Sequence, residues 1–152
     1  MLNLDEIDRK ILRILQQDTT LSVDALADQV HLSRNACWRR VKQMEETGII
    51  RAKVALIEPE AVGLELSAFV FIKTGEHTPQ WSEKFGRAVR DMPEIIGAYR
   101  MAGELDYVLR VRLASMKDYD AFYQRLTTRV AISDISASFV MDDIKETTAL
   151  PI

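Results

Sequence analysis

Apolar residues return every three or four positions at the start of the chain. Ile7, Ile11, Ile14 and Leu15 in "LDEIDRKILRILQQD" form one face of a helix predicted from about residue 4 to 17. Acids fill its first turn and basic residues follow, the order that a helix dipole favours. Ser22 is expected to cap a second helix, "VDALADQV", whose Ala25, Leu26, Ala27 and Val30 make a short apolar face. Only His31 and Leu32 separate it from another cap, Ser33, which opens a third helix running from Arg34 to about Thr47. Cys37, Val41 and Met44 stand at i, i+4 and i+7 of that helix, and Gly48 stops it. His31 lies in the intervening tight turn and reads as a residue tolerating an unusual backbone conformation. "IIRAKVALI" then predicts a strand with Arg51 and Lys53 on one side.

"EPEAVGLEL", with Pro59 and Gly63, reads as a linker, so the chain divides into domains 1–62 and 63–152. In the second domain the period alternates between two and 3.6. "SAFVFIKT" is a buried strand; Thr78 and Pro79 open a helix burying Trp81, Phe85, Val89 and Met92. "EIIGAYRMA" and "DYVLRVRL" are strands closed by "GELD". Ser115 to Asp118 reads as a capping box before a helix that buries Tyr119, Phe122 and Leu126, and "ISASFVMDDI" is the last strand. The order βαββαβ is that of a ferredoxin-like antiparallel sheet. The fold class is therefore α+β, a helix-turn-helix domain followed by a ferredoxin-like domain.

Helices on one face of such a sheet leave the other in need of cover. Leu109, Val111 and Leu113 alternate with Val108, Arg110 and Arg112, and the simplest cover is the same sheet of a second subunit in a two-fold homodimer. A dimer carries two recognition helices, which suits a pseudo-palindromic site on double-stranded DNA.

With Cys37, Val41 and Met44 inward, Arg34, Asn35, Trp38, Arg39 and Lys42 point away from the core, and the capped first turn sets Arg34 and Asn35 where base edges are met. The chain's formal net charge is −3, yet from Arg34 to Lys53 six basic residues face two acids, and a phosphate backbone feels that local patch. Arg34 suits guanine and Asn35 adenine, whereas Arg39, Lys42 and Arg51 suit phosphates. No apolar run approaches the roughly 18 residues of a membrane span, and "MLNLDEIDRK" is too acidic for a signal peptide, so a cytoplasmic protein is expected. One cysteine and two distant histidines offer no metal site and no internal disulfide.

Together "LDEIDRKILRILQQD", "LSRNACWRRVKQMEETGII", "VALIEPEAVGL", "MAGELDYVLRV" and "VMDDIKETTALPI" resemble the Lrp/AsnC feast-or-famine transcription regulators over essentially the whole chain. The "CW" pair, the "MAGE" run and the "TTALPI" ending are most similar to the DecR-like branch. The resemblance implies a winged helix-turn-helix, a ferredoxin-like effector domain, dimers assembling further into octamers, and control by an amino acid or similar metabolite. It places the recognition segment on Ser33 to Arg40 and the effector loop, a Gly-x-x-Asp in the family, on Gly103 to Asp106. The effector contacts it implies are Met101, Ala102, Gly103, Glu104 and Asp106, with Ser133 and Ser136 from a neighbouring subunit; "TTRVAISD" is one residue shorter than the usual Pro-Gly loop there.

Several residues carry two readings. Trp38 either stacks on a sugar or thymine methyl, or closes the core against the first helix. Arg40 contacts DNA or pairs with an acid of that helix. Cys37, at a buried position, is a small core residue rather than a redox thiol. Gly103 to Asp106 is a plain hairpin turn, an acid pair without a nucleophile, or a site whose turn amides take a carboxylate while Asp106 takes or orders an ammonium group. The expected function is a DNA-binding transcription regulator controlled by a small amino acid, with no catalytic residue and no cofactor. The alternative is a ferredoxin-like metabolite-binding module or small enzyme whose first helices make protein contacts only.

Overall fold

The computed structural model describes residues 4–152, in two compact units: the residues up to Leu56 together with Lys145–Ile152, and Ile57–Ile144. The units part at 56–57, close to the division expected at residue 62, and the segment from Lys145 packs with the first unit. There Ile152 packs on the apolar cluster of the helices.

The first unit holds α1 (Glu6–Leu15), α2 (Val23–Val30) and α3 (Arg34–Glu46). Asp5 caps α1 through a reciprocal box: the Asp8 amide donates to Asp5 Oδ1 at 2.8 Å and the Asp5 amide to Asp8 Oδ2 at 3.2 Å. Ser22 Oγ accepts the Ala25 amide at 3.1 Å, and Ser33 Oγ the Ala36 amide at 3.3 Å, as the two expected caps. His31 ends α2 with φ 56°, a left-handed conformation that lets the Leu32 amide reach Ala27 O at 3.0 Å. Ile11, Leu12, Leu26, Ala27, Val30, Cys37 and Met44 are buried between the helices, with Val41 half-buried beside them. Cys37 is wholly enclosed and burial pushes its thiol pKa up, so it is a core residue that attracts no nucleophilic role.

Arg40 is resolved as a packing partner. Its Nη1 donates to Asp5 Oδ2 at 2.8 Å and to Asp8 Oδ1 at 2.7 Å, tying α3 to the cap of α1. The Asp8 side chain is only 11 % exposed, so removing the guanidinium strands a nearly buried carboxylate. Arg40→Ala is expected to cost about 2 kcal/mol at neutral pH in chemical denaturation. The hydrogen bond from the Asp8 amide, and then that from Arg40, hold the Asp5 carboxyl below its usual range. A carboxyl lowered in the folded state contributes stability above its unfolded pKa, and that contribution is lost as pH falls through the folded value. The gap between wild type and variant should therefore narrow below the ordinary aspartate range; a gap independent of pH would contradict this assignment.

The strand expected over 49–57 does not form. Residues 51–58 are exposed and have no regular secondary structure, because the first unit offers no second strand to complete a ladder.

In the second unit, a short 3-10 turn (Glu60–Val62) and Gly63, with φ 78°, precede the sheet. Its strands are β1 (Leu66–Lys73), β2 (Ile95–Arg100), β3 (Tyr107–Leu113) and β4 (Asp134–Phe139), in the order β2-β3-β1-β4, all neighbours antiparallel. This is the expected ferredoxin-like arrangement. Helices α4 (Pro79–Asp91) and α5 (Met116–Arg129) cover the face carrying Val70, Ile72, Leu109, Val111 and Leu113. Trp81, Phe85, Phe122 and Leu126 fill the layer between; Ala88 is buried beside them, and Val89 is half-buried. Ser115 caps α5 by accepting the Asp118 amide at 3.3 Å, while its hydroxyl donates to the Asp118 carboxylate at 2.5 Å. On the opposite face Phe69, Phe71, Val108 and Tyr99 line up with Arg110, Ser136 and Ser138 across the registers. Phe69 and Tyr99 are 37 % and 54 % exposed there.

Candidate nucleic-acid interface and effector loop

The surface of α3 follows from its burial. Cys37 and Met44 point into the core, which turns Arg34, Asn35, Trp38, Arg39 and Lys42 to solvent. Ser33, Asn35, Ala36, Trp38 and Arg39 line a shallow concavity at the capped end of the helix. Trp38 is 56 % exposed and lies outside the apolar cluster, which removes the reading that it closes the core against α1. Arg34 Nε stands 3.4 Å from Asp24 Oδ1, but both side chains are about two-thirds exposed, so water and salt screen the pair. No acid among the described residues comes within ion-pair distance of Arg39 or Arg51. Lys53 binds Glu45 at 2.8 Å, and that bond holds the Glu45 carboxyl below its usual range; Lys42 stands 4.0 Å from the same carboxylate.

The antiparallel register brings the ends of β1 and β2 and the starts of β3 and β4 to one end of the sheet. Met101, Ala102, Gly103 and Glu104 form an exposed turn there, with Gly103 at φ 135°, open to glycine and strained for other residues. Asp106 is half-buried and already engaged: its Oδ2 accepts the Thr74 amide at 2.8 Å. Lys73 Nζ reaches Glu104 Oε1 at 3.0 Å, which raises the lysine pKa and lowers the glutamate's. Ser133 is drawn to the same end, its amide donating to Lys73 O at 3.0 Å, and Trp81 Nε1 fixes the preceding loop through Ala131 O at 2.6 Å. Ser136 lies apart from this group, paired with Phe71 in the β1–β4 register.

Comparison with known proteins decides what these units are. The Lrp/AsnC ligand binding domain matches residues 67–150, and a winged helix-turn-helix DNA-binding domain matches residues 4–51. The chain belongs to the Lrp/AsnC family. The DNA-binding transcriptional activator DecR of Escherichia coli (strain K12) is 53 % identical over 150 residues, covering 98 % of this chain and 99 % of that one. A glutamate uptake regulatory protein of Zymomonas mobilis is 42 % identical, over 98 % of this chain and 91 % of its own. Among solved structures, an AsnC family transcriptional regulator from Agrobacterium tumefaciens superposes with a TM-score of 0.95 at 47 % identity, covering 97 % of both chains. A Neisseria meningitidis regulator crystallised as its L-Met complex gives 0.93 at 37 % identity, covering 98 % of this chain and 97 % of that one.

This Lrp/AsnC protein is thus a DNA-binding transcription regulator, and the alternative of a metabolite module with purely protein-binding helices is not favoured. Among its described residues no helix is long and apolar enough to cross a membrane. Thr74, Lys73 and Trp81, which hold the Gly103–Asp106 turn and the loop before β4, are not singled out for this end of the sheet by the sequence. Their bonds join strands and loops remote in sequence, and no local pattern signals them.

Proposed function

We propose that α3 is the recognition helix of a dimeric regulator, with Arg34 and Asn35 reading base edges, Trp38 stacking on a sugar or thymine methyl, and Ser33, Arg39, Lys42 and Arg51 holding the backbone of a pseudo-palindromic operator. The observation that carries the reading is the exposure of all these side chains around a helix whose other face is buried. The uncovered sheet face with Phe69, Phe71, Val108 and Tyr99 supports a homodimer, from which octamers assemble. The protein acts in the cytoplasm, as a regulator rather than an enzyme, in keeping with the names of its relatives.

The effector is a small amino acid. The turn Met101–Glu104 and Asp106 form one wall, while Ser133 and Ser136 contribute from the neighbouring subunit. L-methionine bound to the Neisseria meningitidis regulator supports that ligand class. The experiment is an anisotropy titration on an operator selected from random DNA, repeated across salt concentrations. Log affinity should fall linearly with log salt, with a slope of roughly −0.9 per phosphate neutralised. A salt-independent affinity, or failure to select any sequence, would overturn the DNA-reading assignment.

A further inference from the structure

The Lys145–Ile152 segment follows the ferredoxin-like sheet in sequence, and the match to the ligand binding domain runs through residue 150, yet the segment packs with the helix-turn-helix unit. The contacts are specific. Gln16, the residue that ends α1, accepts the Leu150 amide at Oε1 (2.6 Å) and donates from Nε2 to Leu150 O (3.2 Å). A glutamine amide carries the same donor and acceptor as a peptide group, so this pair reads an extended main chain as a neighbouring strand does. Arg13 Nε, one turn earlier, donates to Ile152 O at 2.6 Å, and Ile152 lies against the apolar cluster of the unit.

The segment is also shaped for docking. The Ile152 amide donates to Leu150 O at 3.0 Å, a three-residue turn centred on Pro151, whose ring fixes φ near the value that turn requires. The Ala149 amide donates to Thr147 Oγ1 at 3.1 Å, a second local brace. The chain passes between the two units twice, at 56–57 and at 144–145.

We propose that the surface of α1 bearing Arg13 and Gln16 is a docking site for the Leu150–Ile152 segment, and that the docked segment is a strap joining effector and DNA-reading units. A linker alone leaves each helix-turn-helix unit orientational freedom that operator binding must remove; a second tether removes part of it beforehand. The strap gives the effector domain a mechanical route to α1, whose capping residues Asp5 and Asp8 bind Arg40 of the recognition helix. The functional half of this proposal rests on the reading that two α3 helices engage one operator; the docking half does not.

Hydrogen exchange on the full-length free protein tests docking. The Leu150 amide should exchange on the order of tenfold or more slowly than open chain, and Gln16→Ala should abolish that protection while leaving the amides of α2 and α3 unchanged. Ile152→Ser, a change outside every helix, should release the same amide and serves if Gln16→Ala perturbs α1. Operator affinity should fall on the order of tenfold in either variant, with an unchanged salt slope, because no phosphate contact is lost. Open-chain exchange of Leu150 in the wild type would overturn the docking site. Release of the segment with operator affinity unchanged would overturn the strap, and a reduced salt slope would show that the segment contacts DNA instead.

Discussion

Replacing Arg34 and Arg39 together by alanine is expected to weaken binding to the selected operator on the order of a thousandfold while leaving the melting temperature within about one degree of wild type. Each base or backbone contact of this kind is worth roughly 1–3 kcal/mol, and a dimer loses every contact in both half-sites, so about 4 kcal/mol is the lower end. Stability is spared because both side chains are exposed, and the single ion pair between Arg34 and Asp24 is solvated on both partners. The single variants should separate. Arg34→Ala, removing a base contact, should relax sequence preference at one position of each half-site. Arg39→Ala, removing a phosphate contact, should weaken all sequences alike and reduce the salt slope by about one per subunit. A double variant that selects the same operator with undiminished affinity would remove α3 from the interface.

The outward face of α3 is readable in the sequence because burial on a helix is periodic. Once Cys37 and Met44 are assigned inward, the geometry leaves Arg34, Asn35 and Arg39 no choice but solvent. The caps at Ser22 and Ser33 were readable for a similar reason, since their chemistry is local. Arg40 was undecided between DNA and the first helix, because its partner Asp8 lies 32 positions away and periodicity carries no information at that range. The absent strand after Gly48 has a related cause. Alternating apolar residues show that a segment is able to be a strand, but a ladder needs a partner, and the first unit contains none. The segment Lys145–Ile152 follows the second domain in sequence, whereas its contacts are with Gln16, Arg13 and an apolar cluster at the other end of the chain, which no local pattern signals.

At the turn Gly103–Asp106 the sequence and the geometry diverge. The family resemblance implies Asp106 as a ligand group, yet its carboxylate already accepts the Thr74 amide at the end of β1. Asp106→Ala is therefore expected to have two effects that can be told apart. Without ligand it should destabilise the protein by about 1 kcal/mol, the usual loss for one such hydrogen bond. With an amino acid at about a hundredfold excess over Kd, the wild type should gain roughly 2.7 kcal/mol, read as a rise of several degrees in melting temperature, and the variant should gain nothing. Asp106→Asn keeps an oxygen to accept the Thr74 amide and discards only the charge. If the carboxylate takes or orders an ammonium group, the asparagine variant should retain ligand-free stability and still lose the ligand-induced rise. If it keeps the full rise, Asp106 is a structural clasp between β1 and β3, and recognition must pass to Ser133, Glu104 and Lys73, whose ion pair at 3.0 Å an incoming amino acid would have to open. Basal operator affinity should be the same in both variants, since neither touches α3.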